Sequence, residues 1–219
     1  MASALDTFKS TFARARLQIK SSTHVLKIIN TLNEEEGQPK IAYNDSTEVS
    51  DIARFGIILG VAAMDDYFTR KFAEVLVPCI KTRGVNKKMA EMLENSGLDL
   101  AGALGLLAMD RPYRRIRKHA QDFYETYSTQ SMPKIDGLFS TLGIANLSQH
   151  AERRAKKKKL ISSIEAFVKK RHEIAHAGDL IRYGKLQKVD LAFMKRLDHI
   201  EIFVHSCDTH INNFMNQKT

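Results

Sequence analysis

The sequence predicts an all-α protein, and three observations carry that prediction. Glycine and proline are scarce, 11 and 4 among 219 residues, so helices can run long and a many-turned β fold is disfavoured. Apolar residues recur at the three-and-four spacing of a helix face through several long stretches. No clustered run of β-branched residues reads as a strand. No internal repeat or low-complexity linker divides the chain, so residues 1–219 read as one domain, a bundle of long antiparallel helices.

From residue 4 to about 32, Leu5, Phe8, Phe12, Ile19, Leu26 and Ile29 fall at helical spacing, with Ser21, Ser22 and Thr23 as a candidate break. Residues 33–50 hold Gly37, Pro39, Asn44, Asp45 and Ser46 and read as a loop. Ser50 can then cap a long helix ending before Pro78. Its core-facing stripe would be Ile52, Phe55, Ile58, Leu59, Ala62, Ala63 and Phe68. A basic turn at 81–88 follows, then short helices near 89–93 and 98–109. Asp110 before Pro112 starts a helix reaching about residue 127, and Ser131 before Pro133 starts another that closes at Gly143. Asn146 with Gln149 resembles a capping box for a long helix carrying Arg153 through Lys159, then Ile161, Ile164, Phe167 and Val168, and stopping at Ala177-Gly178. A last helix, about 189–216, contributes Leu191, Met194, Leu197, Ile200, Phe203 and Val204.

Composition narrows the class. Lys and Arg number 34 against 25 Asp and Glu, a formal charge of +9. Such a surface gathers polyanions, so nucleic acid or an anionic membrane is the natural partner, although charge also serves solubility. Cys79 and Cys207 stand far apart without metal-like neighbours and read as buried thiols in a reducing compartment. Residues 1–9 lack the apolar core of a secretory signal. The longest apolar run, 55–64, is too short for a bilayer. The expectation is a cytoplasmic protein with no membrane partner.

The chemically loaded segment is Arg171-His172-Glu173-Ile174-Ala175-His176-Ala177-Gly178-Asp179. It carries two overlapping patterns. His172-Glu173-x-x-His176 matches the zinc-hydrolase helix, in which histidines four apart hold the metal and the glutamate activates water. The surroundings argue against it. Lys169, Lys170 and Arg171 crowd the motif, Glu201 is the only helical candidate for a third ligand, and no strand layer is visible to hold a substrate. No metal or other cofactor is therefore expected.

The second pattern, Arg171-x4-His176 followed by Ala-Gly-Asp, resembles the signature of the HEPN superfamily, in particular bacterial HEPN families linked to defence and toxin systems. Two further stretches are similar to segments of those families: residues 58–72 with Ala62-Ala63-Met64-Asp65-Asp66-Tyr67-Phe68, and residues 131–144 with Ser131-Met132-Pro133-Lys134-Ile135-Asp136-Gly137-Leu138-Phe139 and Leu142-Gly143-Ile144. Together they place most of the chain within the resemblance. It implies an HEPN-like helical fold and a metal-independent endoribonuclease, of the kind found among toxins and phage-defence effectors. His176 would be the acid–base group and Arg171 the phosphate clamp, leaving 2′,3′-cyclic phosphate and 5′-hydroxyl ends. The chemistry suits those side chains: free imidazole exchanges protons near neutral pH, and guanidinium offers a permanently charged fork to phosphate oxygens. DNA lacks the 2′-hydroxyl nucleophile and should survive.

Residues five apart on an ideal helix diverge by roughly 140°, so Arg171 and His176 converge within one chain only if the helix unwinds before Gly178. The resemblance implies the other solution, a homodimer whose two motifs face one cleft. An antitoxin or companion defence protein is a further partner it implies. His172, four residues before His176, either supports it or touches phosphate, or is a surface residue. Glu173 either positions Arg171 or is solvated. Asp179 suits a turn. Asp65 or Asp66 could pair with Arg171. His119, His150, His199 and His205 read as structural.

Residues 152–171 hold nine basic side chains and two acids. Arg153, Arg154, Lys156, Lys157, Lys158, Lys159, Lys169 and Lys170 would form an RNA-backbone track along one helix leading to the motif, or a solvated face. Arg111 to Lys118 with Tyr113 interleaved is a weaker stretch of the same kind. The competing readings are a non-catalytic HEPN module that binds nucleotide or RNA or mediates assembly, and, behind it, the zinc hydrolase.

Overall fold

The computed structural model describes residues 2–107, 109–125, 129–177 and 190–217. Among these residues the protein is all-α, without a strand. Helices α1 (Ala4–Glu35), α2 (Thr47–Arg83), α8 (Leu160–Ala177) and α10 (Asp198–Asn216) are long. Shorter helices are α3 (Lys87–Asn95), α4 (Leu100–Leu107), α5 (Pro112–Glu125), α6 (Met132–Ser140), α7 (Leu147–Ala155) and α9 (Leu191–Met194). No helix of the described residues is long and apolar enough to cross a membrane.

The packing forms two compact units. One gathers Met1–Thr7, Asp65–Ile161 and Phe203–Thr219; the other gathers Phe8–Met64 and Ser162–Ile202. The first unit is built around aromatic rings: Phe68 meets Phe139 and Phe203 with centroids 6.1 and 5.8 Å apart, and Phe72 meets Phe139 edge-on at 5.9 Å. These rings are fully buried, and edge-to-face geometry adds to the apolar burial they supply. In the second unit Gly56 lets α1 approach α2 closely, since a Cβ there would stand 3.2 Å from the Ala15 carbonyl and 2.6 Å from Ile19 Cδ1. Phe167 of α8 packs on Phe193 of α9 at 4.4 Å.

Several boundaries differ from the sequence expectation. Helix α1 does not break at 21–23, because Ser22 and Thr23 hydroxyls donate back to the Ile19 carbonyl at 2.8 and 3.2 Å and stay in the helix. Helix α2 starts at Thr47, capped by Ser46 rather than Ser50: Val49 N–H donates to Ser46 Oγ at 3.2 Å. It also continues through Pro78 to Arg83. Leu76, Val77 and Cys79 around the proline are all buried, and that packing outweighs the roughly 3 kcal/mol an interior proline costs. The buried stripe of α2 is Val49, Ala53, Ile57, Val61, Met64 and Phe68, whereas Phe55 is 46 % exposed and Ala62 also faces outward. Between Phe55 and Met64 this helix is apolar all round, so periodicity alone did not select the buried face there.

The largest correction lies between Asn146 and Ala177. One long helix is expected there; two form. Helix α7 ends at Ala155, Lys156 adopts φ 51° and Lys159 φ 61°, and α8 begins at Leu160. Arg153 through Lys159 would stack like charges three and four apart in a continuous helix. The break relieves that and buries Leu160 completely, while Glu152 accepts the Ile161 N–H at 3.2 Å. The Asn146–Gln149 capping box does not form either. Asn146 is left-handed, with φ 51° and no side-chain cap bond, and Asp136 of α6 takes over by accepting the Ser148 N–H and hydroxyl at 2.7 and 2.6 Å. The expected last helix is also divided, into α9, a 3-10 turn Lys195–Leu197 and α10, with Asp190 capping α9 through the Ala192 N–H at 2.9 Å. Both cysteines are free and buried, as expected.

Candidate functional site

Helix α8 carries the motif. Leu160, Ile164 and Phe167 lie at i, i+4 and i+7 and are fully buried, which fixes the rotation of the helix. Arg171 continues that stripe one turn beyond the core and is half-buried. His172 and His176 lie on the other side and are exposed. Because α8 stays helical through Ala177, the divergence of roughly 140° between positions five apart is not relieved. The fold therefore does not bring Arg171 and His176 together on α8.

The two histidines do come together. Their rings stack nearly parallel, with centroids 5.8 Å apart and planes 11° from one another, as side chains one turn apart permit. Glu173 faces lysines: its Oε1 lies 4.0 Å from Lys169 Nζ and its Oε2 3.9 Å from Lys170 Nζ. Lys169 is open to solvent, with 80 % of its side chain exposed, whereas Lys170 retains 11 %. Its low exposure leaves Lys170 little surface to offer a ligand. Among the described residues Arg171 has no hydrogen-bond or ion-pair partner. Asp179 and Gly178 lie outside the described residues.

Asp65 is engaged in a different way. Its carboxylate accepts the Thr129 N–H at 2.5 Å, the Thr129 hydroxyl at 2.6 Å and the Gln130 amide at 2.9 Å, so it anchors residues 129–130 to α2. Asp66 forms a surface pair with Arg70 at 2.7 Å. Glu201, which the metal pattern would need as a third ligand, accepts Arg16 Nη2 at 2.6 Å. Among the described residues no three His, Cys, Asp or Glu side chains are grouped to hold a metal ion.

The basic run divides along with the helix. Arg153 and Arg154 close α7, Lys156 to Lys159 form the link to α8, and Lys169 and Lys170 lie on α8 itself. The expected track along one helix is therefore not continuous. Arg153, Arg154, Lys156, Lys158 and Lys159 are exposed, and this end of α7 also carries a stacked histidine pair, His150 on His210, with centroids 4.4 Å apart. Sequence reasoning missed that pair, because residues 60 positions apart carry no local signal. The basic stretch Arg111 to Lys118 was visible in the sequence, but not that four of its side chains line one cavity. No family model, curated protein or solved structure matches the chain.

Proposed function

We propose that the protein is a metal-independent endoribonuclease of the HEPN type, working as a homodimer. The observation that carries this reading is the open end of α8, where His172 and His176 stack in solvent while Arg171 emerges from the edge of the core. A 2′-hydroxyl attacks the adjacent phosphorus and the 5′-oxygen leaves. His176 moves the proton, and Arg171 neutralises the equatorial oxygens as their charge builds. His172, stacked on His176, limits its rotation. Since Arg171 and His176 point away from each other on one helix, each must meet its counterpart from a second copy, which makes the site composite. RNA is the substrate, the cytoplasm the compartment, and a toxin or phage-defence role with a restraining companion protein fits a nuclease whose site is this accessible.

The divergence of the two side chains also favours a second reading, a non-catalytic HEPN module that binds nucleotide or RNA or mediates assembly. One experiment separates the two. Purified protein is incubated with end-labelled RNA in excess EDTA, beside Arg171→Ala, His176→Ala and an equimolar mixture of the two variants after subunit exchange. The ribonuclease reading expects cleavage to cyclic phosphate ends, loss in each variant, and recovery of roughly one quarter of the activity in the mixture, because half the dimers are mixed and each regains one intact site. RNA bound but not cut supports the binding module. Activity only with added zinc would return His172-Glu173-x-x-His176 to consideration.

A further inference from the structure

Helix α5 is divided lengthwise by charge. Pro112, Tyr113 and Ile116 line an apolar groove of about 600 Å³, Ala120 is fully buried, and Lys81 Nζ sits 4.4 Å over the Tyr113 ring. The other side is basic. Arg111, Arg114, Arg115 and Lys118 fall at i, i+3, i+4 and i+7, within one helix face, and with Met109 and Asp110 they line a separate cavity of about 810 Å³. Among the described residues, four cations thus share a concave surface with one carboxylate, Asp110. Among the described residues none of the four makes a side-chain hydrogen bond or ion pair, with Asp110 or with any other group. The cavity also lies at the N-terminal end of a 14-residue helix, where the backbone dipole adds positive potential.

We propose that this cavity is a binding site for the phosphate backbone of RNA. Like-charged side chains crowded on one face repel each other unless an anion joins them, and concave walls concentrate their field. Three of the four are arginines, whose planar forks match phosphate oxygens. The seven-residue separation from Arg111 to Lys118 corresponds to about 10 Å of helical rise, enough for two successive phosphates of an extended strand. The concave shape favours a strand that enters over a lipid surface, which would need the cations on a projecting rim. Naming RNA rests on the ribonuclease reading; anion recognition by the cavity does not.

The test is binding of a 2′-O-methyl oligoribonucleotide to the full chain in EDTA across a salt series. The blocked 2′-oxygen cannot attack, so binding is read without cleavage. Arg114→Gln/Arg115→Gln should weaken binding at least about tenfold at low salt and lower the salt slope by about 1.4, or 0.7 per lost contact. Arg111→Gln/Lys118→Gln should act alike. Arg117→Gln, on α5 but off the cavity lining, should change binding less than about twofold. Arginine and glutamine have similar helix propensity, and circular dichroism checks that each variant folds. Equal weakening by Arg117→Gln and by each substitution in the cavity would mean that net charge alone acts, and would overturn the site. Binding to phosphatidylserine vesicles with no binding to the oligonucleotide would overturn it too. If the parent cuts RNA yet Arg114→Gln/Arg115→Gln binds as tightly as the parent, the site falls and the ribonuclease reading stands. If the oligonucleotide binds through α5 and RNA is never cut, the site stands and the ribonuclease reading falls.

Discussion

Two polar clusters of this protein are built on opposite plans. In the first unit, Lys71 of α2 is buried against α10: its Nζ contacts Asp208 at 2.8 Å and Asn212 at 2.9 Å, Tyr67 donates to Asp208 at 2.9 Å, and Asn212 donates to the other Asp208 oxygen at 2.8 Å. Burial first, and then the charge of Asp208, hold the Tyr67 phenol well above its ordinary range. At the end of α8, by contrast, His172 and His176 are exposed, and among the described residues each has the other's ring as its close partner. A sealed and mutually satisfied cluster fixes structure; its groups cannot meet a substrate. An open cluster contributes little to folding, because water competes for every contact, and its groups remain free for chemistry.

If the sealed cluster holds structure, taking it apart must cost stability. Asp208→Ala leaves the Lys71 ammonium buried without its carboxylate and Tyr67 without its acceptor, and should cost about 3–5 kcal/mol in urea unfolding. Replacing both members, as Lys71→Met/Asp208→Leu, should recover the part of that loss due to the unpaired ammonium, since apolar side chains carry no such desolvation penalty, while Tyr67 and Asn212 still lack their Asp208 acceptor. A single substitution that unfolds at the parent's midpoint would show that water already reaches the pair.

At the open end the expectation reverses. His176→Ala should lower RNA cleavage by about 10² or more, the usual contribution of a positioned acid–base group. Its unfolding free energy should stay within about 0.5 kcal/mol of the parent, as for exposed positions generally. A variant that loses activity and stability together would make His176 a packing residue, and the α8 end would no longer contrast with the sealed cluster.

The difference between the clusters also explains what the sequence made legible. The helical class follows from local periodicity and the scarcity of breakers, and α6 after Ser131 and the pause at Gly143 follow from local chemistry. The motif on α8 is local too, six residues in a row. What was not legible depends on contacts far apart in the chain. Lys71 and Asp208 are 137 positions apart, and each alone reads as a surface charge. Pro78 passes for a helix stop until the burial of Leu76 and Cys79 is known. The break at Lys156 carries no glycine or proline; it follows from charge crowding together with the burial of Leu160. The split of α5 into a basic and an apolar face was visible as a pattern, but the cavity on its basic side was not.

Asp136 lies between the two plans. Half-buried, it holds the start of α7 through Ser148, doing from α6 what the Asn146 side chain does not do locally. Asp136→Ala should therefore cost about 1 kcal/mol, the usual value of a helix cap, and should leave cleavage unchanged when measured below the unfolding transition. A loss of several kcal/mol would instead place Asp136 with the sealed cluster.

The smallest expected effect is a pH slope, and it locates His210 on the same scale. Burial first, then the positive charges of His150, Arg154 and Arg153, hold its imidazole below the ordinary value of 6.5. The unfolded chain then takes up a proton at a higher pH than the folded one, so stability rises with pH between the lowered value and 6.5 and is fully present above it. Acidification through that window costs stability, as the charged ring is repelled by the basic end of α7. Urea midpoints at pH 7.5 and 5.5 should thus fall more for the parent than for His210→Asn, whose side chain does not titrate. An identical drop in both would mean that solvent screens the α7 charges completely, and that the His150–His210 stack belongs with the open histidines of α8.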